Sequence, residues 1–151
     1  MTNMVAPDAA LYERDGKVTV VSGGRMGNGL RTEVRPVWTV PVDDAEALLD
    51  AVLASLAAFR QTMPPRGSDE YEAIIFRDKD LRAAVGVRTL AQMKREVRLV
   101  SILKRDEGYE LSPNRALSRG HWEGISGDVD EFVTDPAELP AMIVRVFNKC
   151  E

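Results

Sequence analysis

Apolar positions along this chain follow two periods. Short β-forming runs at Ala9 to Glu13, Lys17 to Ser22 and Arg31 to Val42 predict three strands. Helical spacing then takes over at Leu48, Leu49, Val52, Leu53, Leu56 and Phe59. Arg14-Asp15-Gly16 predicts a tight hairpin turn, since glycine accepts positive φ. Ser22 to Gly29 reads by composition as a flexible loop, and Pro36 marks an edge position or a bulge. Asp43 or Asp44 is placed to cap the helix, which stops before Pro64-Pro65.

The same order returns 91 positions later. Leu11 to Val18 is loosely echoed by Ile102 to Tyr109, and Val42-Asp43-Asp44-Ala45-Glu46 falls on Val133-Thr134-Asp135-Pro136-Ala137. Leu48, Val52, Leu53 and Leu56 fall on Leu139, Ile143, Val144 and Phe147. Val97 to Leu103 and Tyr109 to Ser112 predict a hairpin, and Glu131 to Val133 a third strand. Asn114 to Asp128 reads as loop-rich. Pro140 removes a helical hydrogen bond, so the last helix is expected to begin distorted after Asp135 and settle from Pro140. At this offset Trp38-Thr39-Val40 aligns with Val129-Asp130-Glu131, an apolar strand against an acidic segment.

These elements predict an α+β fold. A mostly antiparallel central sheet is built from two similar strand-strand-strand-helix halves, with the helices packed on it. The expected organisation is a flexible 1–8, then one domain over 9–151, with halves at 9–61 and 97–151 and a connector at 62–96. In the connector, Glu70 to Phe76 is ambiguous between strand and helix. Asp80 to Val85, closed by Gly86, and Thr89 to Arg95, capped by Thr89, read as short helices.

Composition adds a compartment and removes some chemistry. A chain of 151 residues, 44% hydrophobic and 29% charged, suits one domain with a real core. Met1 to Pro7 lacks the basic start and apolar run of a secretory signal, and no apolar run is long enough to span a bilayer. Cys150 is the single cysteine, so no internal disulfide forms and a reducing, cytoplasmic compartment is expected.

Charge is segregated within the net −4. Arg77 to Arg105 holds nine Lys or Arg against three acids, whereas Gly120 to Val144 holds six acids and no Lys or Arg. The plain reading is two solvated faces of opposite sign. The functional reading is an acidic end that steers toward a basic partner.

The candidate chemistry is sparse. Gly24-Arg25-Met26-Gly27-Asn28-Gly29 has glycines but neither the order of a dinucleotide fingerprint nor a following helix. One histidine, His121, and one cysteine cannot complete a zinc site. A hydrolase would need His121 joined to a distant acid such as Asp15 or Asp106. Asp128, Asp130 and Glu131 lack calcium-loop spacing. No catalytic residue, metal or cofactor is expected. Trp38 lies in an apolar strand and reads as core. Trp122 is either a lid on the core or an anchor of a protein interface.

The layout, with Val87 to Val100 leading into Ile102 to Pro113 and a final Asp135-Pro136-Ala137-Glu138-Leu139 helix opening, resembles the immunity proteins of bacterial contact-dependent growth inhibition systems. That resemblance implies a cytoplasmic, non-enzymatic antitoxin. It would bind the C-terminal toxin domain of a cognate effector, often a nuclease, and occlude it. A basic nuclease partner suits an acidic surface, because the inhibitor can mimic the field of phosphates. The partner-binding residues expected are Trp122, Glu123, Asp128, Asp130 and Glu131. The alternative is a nucleic-acid accessory protein using the basic segment 77–105, with Arg88, Lys94, Arg95 and Arg98 as contacts.

Overall fold

In the computed structural model, which describes residues 4–116, 122–125 and 130–151, seven strands form one antiparallel sheet between two layers of helix. The strands are β1 (Asp8–Arg14), β2 (Lys17–Arg25), β3 (Arg31–Pro41), β4 (Arg98–Lys104), β5 (Tyr109–Ala116), β6 (Trp122–Gly124) and β7 (Glu131–Val133). Their order is β3-β2-β1-β4-β5, and both β6 and β7 pair with β5. The helices are α1 (Ala45–Ala57), α2 (Asp69–Ile74), α3 (Asp78–Val85), α4 (Leu90–Glu96) and α5 (Leu139–Phe147). The α+β expectation is met.

Local chemistry sets the elements. Asp15 and Gly16 take φ of 52° and 79°, the mirror-image turn that joins β1 to β2 without splaying them. Asp44 caps α1 through Ala47 N–H, and Thr89 caps α4 through Gln92 N–H. Asp135 caps a 3-10 turn at Pro136–Glu138, and α5 proper starts at Leu139, so Pro140 sits where its missing N–H costs nothing. Glu70 to Phe76 resolves as helix α2 followed by an extended step. Ser68 caps it, and the chain leaves at Ile75, which bridges to Val34.

β1 and β4 lie side by side at the centre, and the halves spread outward from them. α1 and α5 cover one face, and the core between them includes Leu11, Val18, Val20, Val52, Val100, Ile102, Leu111, Ile143 and Phe147. Each fully buried aliphatic side chain there contributes about 1.5–3 kcal/mol. Of the helix positions matched at offset 91, Leu48, Val52 and Leu56 are buried, as are Leu139, Ile143 and Phe147. Val144 departs from the pattern at 41% exposed.

The connector does more than join halves. α2, α3 and α4 pack on the opposite face, where Phe76, Leu81, Val87 and Met93 meet Ala10, Tyr12, Val21 and Leu99. This makes a third layer that composition alone does not announce.

Three expectations need correction. Ser22 to Arg25 is not loop but the end of β2, because it pairs with Arg31 to Val34. Asn114 to Asp128 is less loop-rich than expected: β5 runs on to Ala116 and meets β6. The third correction concerns the offset. Arg25, Gly24 and Gly23 pair with Arg31, Thr32 and Glu33, and 91 residues on, Ala116, Arg115 and Asn114 pair with Trp122, Glu123 and Gly124. Beyond that point the second half carries two extra residues. Val18 pairs with Val40, but its counterpart Tyr109 pairs with Val133. Trp38-Thr39-Val40 therefore corresponds in space to Glu131-Phe132-Val133, not to residues 129–131. The insertion falls where β3 bulges, between Val21 and Ser22, beside the cis Arg35–Pro36 bond.

Candidate functional site

A glycine near the end of β2 makes room for the site. Gly23 of β2 lies between Asp8 of β1 and Glu33 of β3, and a Cβ there would collide with the Asp8 carboxylate. With no side chain at Gly23, Asp8 of β1 and Arg31 of β3 meet across β2. Arg31 Nε donates to Asp8 Oδ1 at 2.8 Å, and Arg25 Nη2 lies 3.6 Å from Asp8 Oδ2. Tyr12 Oη donates to Glu33 Oε2 at 2.8 Å, and Arg31 Nη1 stands 3.9 Å from that oxygen. Arg25 Nε is buried without a hydrogen bond among the described residues.

Above this network opens a cleft of about 970 Å³. Tyr12, Arg31 and Glu33 belong to its sheet wall, Tyr71, Phe76, Arg77 and Asp78 to its helical wall, and Trp122 to its rim. The α2–α3 junction is held to β3 by the Phe76 N–H, which donates to the Glu33 carbonyl at 3.0 Å. Trp122 meets Tyr12 edge to face, ring centres 6.3 Å apart.

Burial dominates the electrostatics. It pushes the Glu33 carboxyl above its usual range, against the opposing pull of Arg31 and the Tyr12 hydrogen bond. Burial, then Glu33, holds the Tyr12 hydroxyl well above its ordinary value. Arg31 stays charged, since Asp8 and Glu33 more than offset its desolvation.

The residues expected at a partner interface are distributed around this geometry. Trp122 faces the connector helices, half-buried against Tyr12. Glu123 pairs with Arg115 at 2.6 Å, and Arg115 also approaches Glu151 at 3.7 Å. Glu131 accepts from Lys149 at 2.6 Å, with Arg145 at 3.2 Å, and the Lys149 bond holds its carboxyl below the usual range. Asp130 is exposed. Asp128 and His121 lie outside the described residues. Of the four that are described, Trp122, Glu123 and Glu131 lie on strands that pair with β5, and of these only Trp122 lines the cleft. Trp38 is half-buried against the main core.

Other candidates are engaged elsewhere. The antiparallel β1–β4 pair puts Asp15 and Asp106 at opposite ends of the sheet. Cys150 packs on the core, donates to the Leu99 carbonyl at 3.3 Å, and has its thiol pushed up by burial. In the basic segment, Arg77 pairs with Glu72, Arg95 with Glu96 and Arg105 with Glu110. Arg98 forks onto Glu13 and donates to the Phe147 carbonyl. Among the described residues no three His, Cys, Asp or Glu are grouped to hold a metal, and no helix is long and apolar enough to cross a membrane.

Sequence reasoning missed Tyr12, Arg31 and Glu33. The available signal was Gly23-Gly24 next to a β-forming run, with Arg31, Glu33 and Arg35 alternating along its partner strand.

No protein-family model and no curated protein sequence matches the chain. Solved structures do. A protein of unknown function from Neisseria meningitidis superposes with a TM-score of 0.73 at 19% identity, over 100% of this chain and 99% of that one. A chain of the CdiA-CT/CdiI toxin and immunity complex from Yersinia pseudotuberculosis superposes with a TM-score of 0.73 at 15% identity, over 99% of this chain and 100% of that one. At such identities the likeness establishes a shared fold, end to end.

Proposed function

We propose that this chain is an immunity protein. It binds the toxin domain of a cognate contact-dependent growth inhibition effector in the cytoplasm and neutralises it by occlusion, with no catalysis of its own. The observation that carries this reading is the end-to-end likeness to a chain of a toxin and immunity complex, with almost nothing left over on either side. The acidic net charge of −4 fits a basic nuclease as the toxin. The contact residues are Trp122, Glu123, Asp128, Asp130 and Glu131, and the described ones on strands β6 and β7 lead past Trp122 into the cleft. The nucleic-acid alternative has less support, because Arg95 and Arg98 are already held by acids of the chain.

The test is co-expression with the C-terminal domain of any large exported protein encoded beside this gene; a neighbourhood with no such protein also ends the proposal. Growth should be restored and the two chains should purify together. A toxin that kills equally with and without this chain, and never co-purifies with it, ends the proposal.

A further inference from the structure

A smaller pocket of about 50 Å³ shares Tyr12, Glu33, Asp78 and Trp122 with the cleft and reaches down to Met93. It has room for the end of one side chain, since a liquid water occupies about 30 Å³. Its polar lining is uneven. Glu33 and Asp78 supply two carboxylates, and Arg82 is the cation beside them.

Glu33 itself is only half satisfied. Its Oε2 takes the Tyr12 hydroxyl, and its side chain is 15% exposed. Among the described residues its Oε1 accepts no hydrogen bond. The nearby Arg31 is spent on Asp8, at 2.8 Å against 3.9 Å to Glu33. The charges of Asp78 and Asp8 press on Glu33 in the same direction as its burial. A largely desolvated carboxylate with one oxygen open to solvent and like-charged neighbours is stabilised by any cation that reaches it.

We propose that this pocket is a socket for a guanidinium: an arginine side chain of the toxin lies against the Trp122 ring and donates to Glu33 and Asp78. A guanidinium suits it better than an ammonium, because its plane stacks on an indole and its fork spans two acceptors. The source of the arginine rests on the immunity reading. The socket rests on the geometry.

The two can be tested apart. Replacing Trp38 by Phe leaves Trp122 as the one tryptophan emitter. N-acetyl-arginine amide should then change its emission saturably, at the weak affinity of so small a ligand. N-acetyl-citrulline amide, neutral and of the same shape, should bind roughly tenfold more weakly or worse. Glu33→Gln, which keeps an acceptor for Tyr12, should lose the preference for arginine; if that variant misfolds by circular dichroism, Asp78→Asn serves instead. Equal responses to both amides overturn the socket, even if toxin still binds. A preserved arginine response in a chain that captures no toxin domain leaves the socket standing and removes the immunity reading.

Discussion

The Tyr12 hydroxyl reaches Glu33 across an intervening strand, donating at 2.8 Å from β1 to β3. The bond passes over β2, whose Val21 packs on the same face as Tyr12. Beside it Gly23, opposite Glu33, leaves room on β2 for the Asp8 carboxylate.

Gly23→Ala should therefore be costly. Its Cβ strikes the Asp8 carboxylate, and overpacking of this kind costs about 1–3 kcal/mol. Combining it with Asp8→Gly should cost less than the sum of the single changes, because the clash is gone. Urea unfolding of the four proteins of the cycle measures this, and strict additivity would contradict the contact.

Glu33 should make stability pH-dependent. Its folded pKa is raised, so the folded state holds the proton at pH values where the unfolded chain has released it. The associated stability is fully present below the unfolded carboxylate pKa and is lost as pH rises through the folded one. The melting temperature of the natural chain relative to Glu33→Gln should fall as pH rises through and just above the carboxylate range. A difference that stays flat there, or rises, removes this account.

Arg98 ties β4 to β1 and to α5 at once. It forks onto Glu13, donates to the Phe147 carbonyl at the end of α5, and lies 5.5 Å over the Phe147 ring. Its side chain is 41% exposed, which discounts the ion pair. Arg98→Ala should cost about 1–2 kcal/mol by chemical unfolding. Arg98→Lys should recover little, since an ammonium cannot make the fork. Full recovery by lysine would reduce the role to charge alone.

The acidic side of β5 should set association rate. Reversing Glu123, Asp128 and Asp130 to lysine should slow binding to the toxin domain roughly tenfold at low salt and flatten its salt dependence, with dissociation little changed. Stopped-flow mixing reads both rates. Unchanged association would place the steering surface elsewhere.

Local signals in the sequence were sufficient for most elements. The Asp15-Gly16 turn, the Asp44 and Thr89 caps, the late start of α5 and the buried helix stripes all depend on neighbours a few residues away. The 91-residue echo likewise foretold that two similar halves share one sheet. What the chain order could not reveal were relations between distant residues. Glu70 to Phe76 became helix and bridge because Ile75 found Val34. Trp38 and Glu131 became counterparts because the second half inserts two residues at the bulge, which only strand pairing discloses. Glu33 became a largely desolvated acid because Tyr12 and the α2–α3 junction close over it, and nothing within its own strand says so. By itself the sequence determined the turns, caps, apolar stripes and the doubled plan, since these are short-range. Tertiary structure alone decided which face each half buries, and that Tyr12, Glu33 and Trp122 surround one pocket. Those contacts span 21 to 110 residues, and no local propensity acts over such a distance.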